Sequence, residues 1–248
     1  MKPKSHTLFH FTRSLDALKS ILVSGFWPQY CMEDMSWQNT PGINATFVAV
    51  PMVCFCDIPL SRIEEHVNFY GNFGIGMTRD WAVTNGLNPL MYMAAHNGVA
   101  KAVMQMYMSA FKSRSKAITC DLLLNLRHVA MHMKPAVGQM VVVGEPVEKD
   151  FYQESEWRFV AQHSEIDRFM KPAAFSIEET RTSANELTRK HCMLQFLPRD
   201  VRYLFVRSDA EIPSLVNFIQ TEMDKYPSAD LKILMSRITS LETLKSDW

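Results

Sequence analysis

The chain has no excess of charge of either sign: 26 Lys and Arg face 26 Asp and Glu, so the formal net charge is zero. Without net charge there is no global attraction to nucleic acid or to an acidic membrane, and only a local basic patch remains for that purpose. A disulfide framework is missing too. The five cysteines, at 31, 54, 56, 120 and 192, are odd in number and irregular in spacing, which points to a reducing compartment. Cys54 and Cys56 are closer than the cysteines of zinc knuckles, and in an extended segment they share one face as small core residues. No stretch approaches the ~20 apolar residues of a membrane span. The opening MKPKSHTLFHFTRS carries no apolar run of signal-peptide length. The expectation is therefore a cytoplasmic protein with no membrane contact. Internal repeats, low-complexity segments and long charge runs are absent as well.

What is there suits an ordinary folded protein. Of 248 residues, 47% are hydrophobic and 21% charged, and a chain of this length buries roughly 70–75% of its unfolded surface. One domain over 1–248 is expected. Leu8 to Thr12 reads as a strand. Ser14 then caps a helix whose Leu15, Leu18, Ile21 and Leu22 recur at helical spacing, and Gly25 stops it. Residues 26–46 read as an irregular loop. Its Trp27, Tyr30 and Trp37 either pin it to the core or frame a planar ligand. Phe47 to Cys56 is a buried strand pair or one strand bent at Pro51. Ser61 and Glu64 suggest a capping box for a helix that Tyr70-Gly71 closes. Phe73 to Met77 is a strand whose glycines admit a close neighbour. Gly74 and Gly76 lack the third glycine, and the helix directly after it, of a dinucleotide fingerprint.

Residues 89–133 read as mostly helical, with methionines that fill core gaps, and 95–134 is a candidate helical insertion. His128 and His132 share a helix face but lack a third ligand, so no metal is expected there. Strands return at Val141 to Gly144, Glu154 to Val160, Leu194 to Leu197 and Val201 to Val206. Helices over 214–223 and 229–244 complete the chain.

The chemistry concentrates in Glu154-Ser155-Glu156-Trp157-Arg158-Phe159-Val160. In a strand, Glu154, Glu156 and Arg158 share one face, and Ser155, Trp157 and Phe159 take the other. The aromatic pair suits the core. The charged face is then either solvated, with an ion pair worth ~0–1 kcal/mol, or it lines a cleft where carboxylates take protons or stabilise positive charge.

His10-Phe11-Thr12 on an opening strand, followed by a helix ending at Ser24-Gly25, resembles the start of ADP-ribosyltransferase-like domains, including DarT-type DNA-modifying toxins. Val50 to Leu60, Tyr70-Gly71, Phe73 to Gly76, Glu154 to Arg158 and Leu197 to Tyr203 resemble the AbiGi-like abortive phage-resistance proteins over nearly the whole chain. The resemblance implies an α+β fold with an ADP-ribosyltransferase-like central split β-sheet, surrounding helices and the helical insertion. It implies NAD as substrate. Breaking the bond from nicotinamide to ribose passes through an oxocarbenium-like state, which a carboxylate stabilises. By resemblance Glu156 takes that role and Glu154 serves the acceptor. His10 and Thr12 hold the adenosine ribose, Tyr70 or Phe73 stacks on nicotinamide, and Arg62 or Arg158 meets the pyrophosphate. His10 also reads as a buried histidine donating to a backbone carbonyl. The absence of a Ser-Thr-Ser strand disfavours an arginine-modifying toxin.

Two functions follow from the resemblance. One is an anti-phage effector that uses NAD to modify a nucleic acid or a protein. The other is a non-catalytic antitoxin that binds a nucleotidyltransferase-like toxin. A third reading, single-strand nucleic-acid recognition through Arg199, Arg202 and Tyr203, needs exposed aromatics among basic residues.

Overall fold

The computed structural model describes residues 6–35, 37, 47–95, 97–112, 116–142 and 145–246. In chain order the first elements are β1 (Thr7–Thr12), α1 (Leu15–Ser24), β2 (Gln29–Asp34), β3 (Phe47–Cys56), α2 (Ile63–Tyr70), β4 (Phe73–Thr78) and α3 (Arg79–Thr84). Next come β5 (Asn88–Pro89), β6 (Met91–Met93), α4 (Gly98–Lys112), α5 (Lys116–Ala130), β7 (Met133–Pro135), β8 (Val137–Val142), β9 (Glu145–Asp150) and β10 (Glu156–Val160). The remainder is α6 (Pro172–Phe175), α7 (Glu178–His191), β11 (Val201–Val206), α8 (Ile212–Glu222), α9 (Ser228–Met235), β12 (Ile238–Ser240) and α10 (Leu241–Ser246). The fold is thus a mixed α+β one. The chain divides into two compact units, the first formed by Met1–Trp27, Val53–Leu87 and Cys192–Trp248, the second by Pro28–Met52 and Asn88–His191.

In the first unit β1 and β4 pair antiparallel from Thr7↔Thr78 to Thr12↔Phe73, β11 joins the far side of β4, and β12 runs parallel to β11. Alternation along β1 decides its two faces. Phe9 and Phe11 pack with Ile63, Val67 and Phe205, and Phe9 lies 5.8 Å from Phe205 between ring centroids. His10 points to the other face, against Phe26 and Phe55. The close neighbours of the β4 glycines are side chains of β1: a Cβ on Gly74 would come 2.6 Å from the Phe11 ring. Gly71 ends α2 at φ 128°, and a Cβ there would meet the Thr12 carbonyl oxygen at 2.3 Å, so only glycine fits that turn. The Ser14 cap forms as expected, accepting from the Ala17 N–H, with Leu18 and Leu22 buried. Each such leucine contributes ~1.5–3 kcal/mol of transfer free energy.

Three local expectations need correction in this unit. Leu60–Arg62 forms a 3-10 turn and α2 begins only at Ile63 with no side-chain cap, so the Ser61–Glu64 capping box is not made. Leu194 to Leu197 is not a strand; Leu194 makes one bridge to Phe26. The helical stretch expected over 229–244 is broken by β12, which pairs with β11.

In the second unit β2 pairs with β3 from Gln29↔Met52 to Asp34↔Phe47. The stretch expected to be irregular therefore opens with a strand, and its residues 38–46 lie outside the described residues. Pro51 sits inside one continuous strand, opposite Tyr30 of β2, and its carbonyl accepts from the Ala161 N–H. Tyr30 packs with Ala49 and Met170, and Trp37 with Met93, Val103 and Met133. Tyr30 and Trp37 thus anchor their segments in the core. β10 pairs with β5, β6 with β7, and β8 with β9. The expected Val141 to Gly144 strand corresponds to the end of β8, with Val143 and Gly144 outside the described residues. Helices α4 and α5 occupy most of the expected insertion.

Candidate functional site: a buried ion network on β10

The second unit buries Glu33, Lys134, Glu154, Glu156 and Arg158. β10 starts at Glu156; Glu154 closes the 3-10 turn Phe151–Glu154, and Ser155 adopts the left-handed conformation at φ 45°. This kink corrects the expectation of one strand face for all three charges. It still brings both carboxylates to one cation. The burial is also inverted: Glu156, Arg158 and Val160 are buried, while Trp157 and Phe159 are half-buried. The charged side, not the aromatic side, faces the interior.

Lys134, on the short strand β7, lies at the centre. Its Nζ is 2.9 Å from Glu156 Oε2, 3.3 Å from Glu154 Oε2 and 3.9 Å from Glu33 Oε1. It also sits 4.2 Å from the centroid of the Phe151 ring, a cation–π contact. Arg158 is 1% exposed. Its Nε donates to Glu156 Oε1 at 2.8 Å, its Nη1 to the Met131 carbonyl at 2.8 Å and its Nη2 to Glu33 Oε2 at 2.5 Å. Lys149 pairs with the other oxygen of Glu154. The Glu156 N–H donates to the Tyr92 hydroxyl at 2.7 Å. Among the described residues, three of these carboxylates thus face three cations, and the six formal charges sum to zero.

The pairing sets the protonation states. Burial alone would raise the Glu154 carboxyl, but Lys134 and Lys149 outweigh it and hold the group below the usual range. Burial would lower Lys134, but Glu156, Glu33 and Glu154 outweigh that and push it up. Lys149 goes the other way: burial lowers it despite its Glu154 partner. A carboxylate held down by cations is a weak base near neutrality. A pyrophosphate at Arg158 would have to displace Glu156, Glu33 or the Met131 carbonyl.

The other expected site residues lie in the first unit. The His10 Nδ1 donates to the Cys54 carbonyl at 2.9 Å, and burial lowers the pKa of the ring despite that bond. This is the neutral, core-packed histidine that the sequence also allowed. Tyr70 packs on the opposite face of β1, its ring 4.4 Å from that of His66 and on the side of Phe11. His10 and Tyr70 therefore do not share a face of the strand. Thr12 is half-buried at the end of β1 and Arg62 is exposed. Tyr203 is half-buried and stacks one ring face on Phe205 at the edge of the core, so that face is not open to a base.

Sequence reading missed Lys134, Glu33, Lys149 and Tyr92. The available signal was a lysine between Met133 and Pro135 in an apolar strand, where a charge needs a partner. His128 and His132 do meet, with rings 4.7 Å apart, and the His132 Nδ1 bonds to the His128 carbonyl at 3.0 Å.

Residues 24–207 match the family profile described as "abortive phage resistance protein AbiGi, antitoxin". A protein of Lactococcus lactis subsp. cremoris called "Abortive phage resistance protein AbiGi" is 26% identical over 250 residues, covering 90% of this chain and 99% of that protein. No solved structure matches.

Proposed function

Because the chain belongs to the AbiGi family of abortive phage resistance proteins, we propose that it is an antitoxin that neutralises a cognate toxin by binding it. The observation that carries this reading is the fate of the two glutamates. Both carboxylates that a transferase would need are buried and tied to Lys134, Lys149 and Arg158. Zero net charge suits a protein partner better than a polyanion. The nucleotidyltransferase-like character of that toxin is part of the proposal.

The rival reading is an ADP-ribosyltransferase-like fold using NAD, with Glu156 at the nicotinamide ribose, Glu154 at the acceptor, and His10, Thr12, Tyr70, Arg62 and Arg158 on the dinucleotide. It requires the ion network to open. One experiment separates the two. Cells expressing the cognate toxin should grow when this chain is co-expressed, and the two proteins should co-elute after purification. A ligand at 100 times its dissociation constant stabilises a protein by ~2.7 kcal/mol, so the antitoxin reading expects no thermal shift with saturating NAD. An NAD-dependent shift without co-elution would overturn it.

A further inference from the structure

We propose that His163, Glu165 and His191 form a binding site for a divalent transition ion of the zinc type, a site that goes beyond the toxin-binding reading and does not depend on it. His163 and Glu165 lie on the segment after β10, and His191 is the last residue of α7. One ligand atom from each residue lies within 4.8 Å of the other two. Two imidazoles and one carboxylate are the three-ligand set of open zinc sites, in which water takes the fourth position.

The spacing agrees with a shared ion. Ligand atoms about 2.0–2.2 Å from a tetrahedral centre sit ~3.3 Å from one another, and Glu165 Oε2 is 3.2 Å from His191 Nε2. That contact is not aligned as a hydrogen bond: the His191 Nε2 is buried and has no hydrogen-bond partner. A buried ring nitrogen in that state is costly, and ligation removes the cost. The carbonyls at the C-terminal end of α7 add negative potential, which favours a cation. Of the two other cations in its last turn, Arg189 is drawn to Glu186 at 3.7 Å.

In the described arrangement the two imidazoles stack, with centroids 4.2 Å apart and planes at 13°. His163 Nδ1 accepts from the Glu165 N–H at 3.2 Å. Lone pairs in parallel planes do not converge, so joint ligation requires one ring to turn. His163 is exposed and has room for that rotation. The bound ion would tie the segment after β10 to the end of α7.

The test titrates the metal-free chain of 248 residues with Co2+ alone. The proposal expects one equivalent bound, a visible ligand-field band, and its loss on adding Zn2+. His163→Ala and His191→Ala should each weaken Co2+ binding by about tenfold or more. Zn2+ should raise the melting temperature of the unsubstituted chain but not that of the His163→Ala/His191→Ala double variant. His6→Ala should bind as the parent does. Absence of a band and of binding up to millimolar Co2+, or unchanged binding by the double variant with a native circular dichroism spectrum, overturns the site.

Discussion

The two units bury polar side chains by opposite means. In the first, His10 is surrounded by Phe26 and Phe55 and is satisfied by one carbonyl, that of Cys54. Burial keeps it neutral. In the second, six formal charges are placed together, and burial is tolerated because each carboxylate has a cation within reach. A lone polar group in an apolar setting sheds its charge and needs one partner. A set of charges keeps its ionisation and makes every member depend on the others. The histidine should therefore be replaceable at low cost, and the network should not.

The sharpest way to break this contrast is to remove the central cation. Lys134→Met leaves Glu154 and Glu156 short of their shared partner and should lower unfolding stability by roughly 3–5 kcal/mol. Urea denaturation reads it, and a loss under 1 kcal/mol would mean that the carboxylates find water instead. Glu156→Gln should cost less, about 1.5–3 kcal/mol, because the amide still accepts one bond while its charge is lost.

Acid titration probes the same network without a substitution. The folded Glu154 carboxyl titrates below its ordinary 4.5, so its contribution is complete above about that pH and is lost as pH falls through the folded value. Lys134 has the opposite sign: its folded value is raised, so its contribution holds below 10.5 and is lost only at higher pH. Stability should thus fall on the acid side, and Glu154→Gln should flatten that limb. An acid limb of equal slope in the variant would assign acid sensitivity to other carboxylates. The smallest effect belongs to the first unit. His10→Leu gives up one hydrogen bond within an aromatic cluster and should cost ~1 kcal/mol, measured by the same urea curves. A loss matching that of Lys134→Met would erase the distinction between the two burial modes.

The first unit was largely readable in the sequence. The strand over Leu8 to Thr12, the Ser14 cap, the Gly25 and Gly71 stops and the Val201 to Val206 strand all depend on local chemistry, and they reappear in place. Ser61 misled because a capping pattern competes with a 3-10 turn that moves the N-cap from Ser61 to Arg62. The β10 segment misled more. Its alternation holds from Glu156 onward, but side-chain polarity does not decide which face is buried. Lys134 and Glu33 reverse the choice that polarity suggests, and they come from sequence positions far from β10, with Lys149 of the neighbouring strand β9 completing the set. Long-range charge pairing leaves no periodic signature, so the carboxylates were visible while their neutralisation was not.

The most direct measurement is inhibition of the purified cognate toxin by increasing amounts of this chain, with and without NAD. The account predicts inhibition that saturates at a fixed molar ratio and is indifferent to NAD. Inhibition by far fewer molecules than the toxin present, and only when NAD is supplied, would contradict it.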